Sequence, residues 1–213
     1  MLIRDVMTSN VVTIPSNTSL AEAKRIMDFH HLRRVPVVDK GKLVGIVSRD
    51  ALEKSGPSKL TTFSIHEISY LLSKITVKEI MITDLLTVSP DATVEEAVAM
   101  GQSKGVGSAL VLEDGLLVGI VTTNDFFYKI INPILGIGKP GSRIHVHNCG
   151  RAAEVAKVLD TINRLRVEVI TMFTIPHPST KEPDLTLHLD IDDPSKVMQE
   201  LKSLGYEVHE RAR

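Results

Sequence analysis

A mixed α/β chain in two parts is predicted: a tandem β-α-β-β repeat packed about an approximate two-fold axis, then a smaller domain of order βαββαβ. Three observations predict it. GIVSRDA at 45–51 returns as GIVTTND at 119–125. The first part of the chain lies on the second at a constant offset of 74 positions without a gap. After Pro133 the pattern changes, through ILGIGKPGS at 134–142, to a new series of strands and helices. Repeats of this kind decide the fold, because neither copy covers its sheet alone.

The composition suits such a chain. Its 213 residues are 43% hydrophobic and 24% charged, which gives material for one or two modest cores. A formal net charge of -1, no Trp and few other aromatics supply neither the basic footprint nor the stacking platforms of a nucleic-acid or membrane-surface protein, so neither partner is expected. Cys149 is the single cysteine, so no intrachain disulfide can form, and the opening MLIRDVMTSN lacks the basic-then-apolar order of a signal peptide. No apolar stretch approaches the roughly 18 residues of a spanning helix. A reducing cytoplasm is the expected compartment.

Each copy reads in the same order. A β-rich run (11–14; 85–88) meets a turn containing Pro, and a helix then opens on Ser19 with Glu22, or on Thr93 with Glu96. The spacing of three is that of a capping box, in which a hydroxyl and a carboxylate each satisfy a free backbone N–H. Leu20, Ala23, Met27 and His30 follow at helical spacing, as do Val94, Ala97, Met100 and Lys104. Two strands close the unit, 35–38 and 43–47 around Lys40-Gly41, with 110–112 and 116–121 around Asp114-Gly115. Between the copies GPSK (56–59) breaks the chain, and Ser64 with Glu67 caps a connector helix carrying Ile65, Ile68, Leu71, Leu72 and Ile75 on one side.

Beyond the Gly- and Pro-rich linker, 143–148 alternates as a strand, 150–165 carries Val155, Leu159 and Ile162 as a helix, and VEVITMFTI (167–175) is a second strand. DLTLHLDI (184–191) places Leu185, Leu187, Leu189 and Ile191 on one face. Asp193-Pro194 opens a helix lined by Val197, Leu201 and Leu204, Gly205 ends it, and YEVHE is the last strand. This is the ferredoxin-like order.

VMT at 6–8, the Thr-containing run, the helix, RVPVVD, LVGIV and TTND together resemble the paired cystathionine-β-synthase (CBS) domain module over about residues 1–132. With the insert at 61–81 the chain most resembles the acetoin-utilization type. The resemblance implies a regulatory adenosine-nucleotide sensor, usually a homodimer through the flat faces of its paired domains, with AMP, ADP or ATP as ligand and S-adenosylmethionine or NAD as other candidates. The expected domains are repeat 1 over about 1–54, a connector over 55–76, repeat 2 over about 77–132, a linker over 133–141 and a third domain over 142–213. That last part resembles an ACT domain, a regulatory module that commonly binds amino acids between paired copies. Its usual acidic-x-x-Pro-Gly entry is replaced by HNCGRA.

The candidate site is the end of GIVTTND. Thr122 ends a strand and starts a helix, where a hydroxyl and free N–H groups suit a phosphate or carboxylate, and Asp125 returns over the same turn with acceptors for a ribose diol. The same pair could equally cap its own helix. In register, Ser48 matches Thr122 but Ala51 matches Asp125, with Asp50 one residue early, so the two pockets are expected to differ. By the resemblance, Thr122, Asn124 and Asp125, with Ile120 on the strand before them, face Asn10, Val12, Leu32, Arg33 and Arg34 across the pseudo-dyad. The guanidiniums would serve phosphates. The opposite pocket, with Ser48, Asp50, Val88, Gly107 and Ser108, is expected to be empty or weak.

Cys149 stands at a helix start beside His145 and His147, where a thiol can become a nucleophile, although a small residue at a tight turn is the expectation. His145 and His147 share a strand face that His188 could join. Without a carboxylate or thiol at defined spacing, they are expected to face solvent and to hold no metal. His30-His31 falls at a helix end, where imidazoles are tolerated. The alternatives left open are an enzyme using Cys149 and a ligand-free assembly module.

Overall fold

The computed structural model describes residues 1–55, 73–177, 179 and 182–211. It divides into Met1–Phe126 and Phe127–Arg213. The Ser64 and Glu67 cap and most of the expected connector helix lie outside the described residues.

In the first unit the two helices run Leu20–Phe29 and Val94–Lys104. Ser19 Oγ accepts from the Glu22 N–H at 3.2 Å and Thr93 Oγ1 from the Glu96 N–H at 3.2 Å, so the hydroxyl half of each capping box forms. The Glu22 carboxylate turns instead to Arg25. Each helix stops at a left-handed residue at the matched position, His31 (φ 54) and Gly105 (φ 66). Leu20, Ala23 and Met27 are buried, whereas Met100, at helical spacing with Val94 and Ala97, is exposed.

Strands β1 (Arg34–Asp39) and β2 (Lys42–Ser48) form an antiparallel hairpin through the left-handed pair Lys40-Gly41. In the second copy, β3 (Thr87–Val88) pairs in parallel with β4 (Ser108–Glu113), which pairs with β5 (Leu116–Thr122) through the left-handed pair Asp114-Gly115. Val37/Val38 and Val111/Leu112 carry the same register shift. The expected first strand at 11–14 contracts to one bridge, Ile14 with Val37.

The entry segments are exchanged between copies. Leu2 bridges Thr93, and the Ile3 and Arg4 N–H groups donate to the Ala92 and Pro90 carbonyls. Symmetrically, Thr76 bridges Ser19, and the Val77 and Lys78 N–H groups donate to the Thr18 and Ser16 carbonyls. Ile3, Val6 and Val77 are thereby buried. Further on, Thr8 bridges Ile120 in β5 and Ile82 bridges Ile46 in β2. The glycine of each GIV makes room for this crossing. A Cβ on Gly119 would fall 2.5 Å from Met7 Sδ, and one on Gly45 would fall 2.6 Å from Met81 Sδ. Each GIV and the segment that crosses to it, VMT at 6–8 or IMI at 80–82, are thus two halves of one latch, and removing either copy would strip apolar side chains from the other at about 25 cal/mol per Å².

In the second unit β6 (Ser142–Val146), β7 (Val169–Pro176), β8 (Pro183–Leu189) and β9 (Val208–Arg211) form an antiparallel sheet of order β7-β8-β6-β9. Helices Ala152–Arg164 and Ser195–Ser203 pack on the face carrying Ile144, Val146, Leu185, Leu187, Leu189 and Val208. Element order and strand order are both ferredoxin-like. The residues expected as a linker, 133–141, are held to this unit. Asn132–Leu135 is a helical turn, Gly136 O accepts from Arg143 at 3.1 Å, and Pro140 O lies 2.8 Å from His188 Nε2. Gly and Pro there allow the chain to lie close to the sheet, where a Cβ on Gly136 would collide with the His188 ring. Among the described residues, no helix is long and apolar enough to cross a membrane.

Candidate functional site

The end of β5 is organised around Asp125. Its Oδ2 accepts from the Thr122 N–H at 2.9 Å and from Thr122 Oγ1 at 2.7 Å, and its Oδ1 accepts from Thr8 Oγ1 at 3.3 Å. The last contact exists because the first copy's entry segment crosses to β5. Hydrogen bonds to a carboxylate contribute about 1.5 to 3 kcal/mol each, so its orientation is fixed by both copies. The carboxylate caps its own turn and is half-buried at a strand end.

Beside Thr122 lies a cavity of about 300 Å³ within the second copy, at the small end of ligand pockets. The helix contributes Ala97, Val98, Gly101 and Gln102, the sheet contributes Ala109 and Val121, and Leu86, just before β3, and Phe126 also line it. Polar groups come from Ser108, Thr122 and Thr123. Gly107 and Ser108 line it too, because β4 runs antiparallel to β5 and sets Ser108 opposite Thr122. They are expected in the opposite pocket, and they line this cavity.

The matched region of the first copy carries larger side chains. Met27, wholly buried, stands where the second copy has Gly101, and Val35 stands where it has Ala109. Arg49, matching Thr123, pairs with Asp28 at 2.5 Å and donates to the Leu32 carbonyl at 3.2 Å. Ser48 accepts the Ala51 N–H at 3.1 Å, where the second copy has Asp125. Asp50 is exposed.

Of the predicted residues, the structure brings together Thr122, Asp125 and Ile120, the last through its bridge to Thr8. Arg34 reaches Gly107 at the cavity wall, a guanidinium nitrogen lying 3.9 Å from where a Cβ of Gly107 would stand. Leu32 packs on the first copy's own core instead. Asn10, Arg33 and Asn124 are exposed and Val12 is half-buried. Thr8, Gly101 and Phe126 went unnoticed in the sequence. The Met27/Gly101 mismatch in the repeat alignment was the available signal for the cavity.

The thiol packs as a small residue at a turn, whereas two of the histidines differ from expectation. Cys149 is fully buried in the core of the second unit, and burial, with the Glu154 carboxylate second, pushes its thiol up to about 11. It has the protonated, enclosed character of a packing residue. The adjacent Gly150 lets the chain approach Pro183, with which a Cβ would collide. His145 and His188 were expected to face solvent but are buried, at 6% and 2% exposure. The strap at 133–141 covers His188, and the sheet register sets His145 against Thr186. Burial holds His145 below the usual imidazole range, against the opposing pull of Asp184.

A CBS-domain family model matches residues 3–55 and 77–132. The inosine-5'-monophosphate dehydrogenase of Korarchaeum cryptofilum is 31% identical over 159 residues, which is 72% of this chain and 30% of that protein. The chain thus spans about a third of that relative's length. The solved structure of an acetoin utilization protein (AcuB) from Vibrio cholerae superposes with a TM-score of 0.53 at 31% identity, over 66% of this chain and 98% of that one. A CBS domain of a membrane protein from Sphaerobacter thermophilus gives a TM-score of 0.52 at 29% identity, over 60% and 86%.

Proposed function

Because the chain belongs to the CBS-domain family, we propose that it is a cytoplasmic regulatory protein, not an enzyme, that senses an adenosine nucleotide in the second copy. The base enters the apolar cavity, the ribose diol donates to Asp125, and the anionic tail lies toward Arg34. AMP, ADP and ATP are the first candidates, followed by S-adenosylmethionine and NAD. The observation that carries this reading is the cavity of about 300 Å³ ending on Thr122 beside Asp125. The second unit acts as an ACT-like responder, through homodimerisation or an amino-acid effector. The likeness to the Vibrio cholerae protein makes acetoin utilization the first pathway to test. Ligand shifts the arrangement of the assembly by its differential affinity for the alternatives.

A thermal-shift screen with these five ligands tests the proposal. A ligand at a hundred times its dissociation constant adds about 2.7 kcal/mol to folding. At about 2 to 4 °C per kcal/mol, the shift is readily measured. Asp125→Ala should lose most of it. A protein that none of the five ligands shifts refutes the nucleotide reading.

A second reading is favoured by the Thr122 N–H bond to Asp125: the pair is a cap in a ligand-free assembly module. Asp125→Ala would then lower the melting temperature without ligand and leave nothing for ligand to restore. An enzyme using Cys149 is tested by iodoacetamide. With its thiol near 11 and enclosed, Cys149 should stay unmodified at neutral pH until the protein unfolds. Rapid modification of the folded protein would reopen that reading.

A further inference from the structure

One end of the second unit's sheet gathers side chains that the nucleotide site does not use. β6 and β8 run antiparallel with His145 opposite Thr186, and β9 sets His209 opposite His145. Alternation along the strands then brings His145, His147 and Asp184 to the face away from the helices. His145 Nε2 lies 3.1 Å from Asp184 Oδ2, and His147 Nδ1 lies 3.5 Å from the same oxygen. The three ligand atoms fall within 4.8 Å of one another.

From this arrangement we infer that His145, His147 and Asp184 form a binding site for a divalent transition-metal ion of the zinc class. Zinc takes imidazole nitrogen and carboxylate oxygen at about 2.0 to 2.2 Å in a tetrahedron, so neighbouring ligand atoms stand about 3.3 Å apart. The two measured separations bracket that edge. Two imidazoles and one carboxylate suit zinc, cobalt or nickel rather than magnesium or calcium, which prefer oxygen.

The surroundings hold the ligands as such sites require. Thr186 Oγ1 lies 3.0 Å from His145 Nδ1, and the Asn148 N–H donates to Asp184 Oδ1 at 2.9 Å. Each contact engages the atom that the metal would not use, which is how outer partners orient a ligand. A threonine hydroxyl both donates and accepts, so it serves His145 with Nε2 protonated or with Nε2 on a metal. His145 and Asp184 are buried, whereas His147 is half-buried, so an ion could enter from the His147 side. A fourth position remains for water or another donor. His147, Glu207 and His209 form a second, exposed trio that shares one member.

The test uses the full chain, stripped with a chelator and titrated with Co²⁺ and then Zn²⁺. Visible d–d bands of tetrahedral Co²⁺ should appear and be bleached by Zn²⁺. Asp184→Asn and His147→Gln should each weaken Co²⁺ binding by about tenfold or more. The double variant Glu207→Gln/His209→Ala should bind as the parent does. If Asp184→Asn fails to fold, His147→Gln and the double variant decide, since all three positions lie outside the core. An absence of Co²⁺ bands, binding that survives His147→Gln, or loss in the double variant would each overturn the assignment.

Discussion

The two copies of the repeat share a scaffold and differ in their interiors. β2 and β5 bury the same positions in the same order, both hairpins shift register at the matched place, and both entry segments cross to the other copy. At one end of each sheet the symmetry fails. The first copy places Met27 and the Arg49–Asp28 pair where the second leaves Gly101, Thr123 and a cavity. A duplicated fold can therefore carry bulkier side chains in one copy and leave a cavity in the other.

The largest expected effect tests the first copy. Met27→Ala, which truncates a buried side chain, should cost about 2 to 5 kcal/mol in denaturant unfolding. A loss below about 0.5 kcal/mol would mean that the first copy is not packed as described. The next variant makes the second copy resemble the first. Gln102→Asp with Thr123→Arg writes the Arg49–Asp28 pair into the second copy and should abolish a nucleotide-induced stabilisation of about 2.7 kcal/mol. Unchanged ligand response would separate the cavity from binding.

Gly45→Ala and Gly119→Ala test the shared scaffold instead. Each new methyl meets a methionine of the crossing segment, and overpacking of this kind costs about 1 to 3 kcal/mol. Both losses should be similar, because the latch is the same in both copies; a loss confined to one would break the symmetry argument. Asp50→Ala, at an exposed position, should change ligand affinity little, whereas Asp125→Ala should weaken it by about 1.5 to 3 kcal/mol. The smallest effect is that of Arg34→Ala. It should weaken a phosphorylated ligand by about 1 kcal/mol or less, in a salt-dependent way, and leave adenosine unaffected.

The scaffold was legible because it is written in local chemistry. Ser19 and Thr93 as caps, left-handed turns at Gly41 and Gly115, and alternating Leu185, Leu187 and Leu189 all act within a few residues of themselves. The Thr122–Asp125 pair was legible for the same reason, three residues apart. What escaped depends on strand register and on interior volume. Nothing local to Gly107 says that it lies beside Thr123, and nothing local to His145 says that Asp184, 39 residues on, lies 3.1 Å away. The strap at 133–141 looked like a linker because glycine and proline serve open chain and close packing alike.

Crystals grown with AMP would test the central claim most directly. Density should fill the second copy's cavity, with ribose oxygens on Asp125 and the phosphate toward Arg34, and none should appear beside Met27 and Arg49 in the first copy. AMP found in the first copy, or equally in both, would contradict the account.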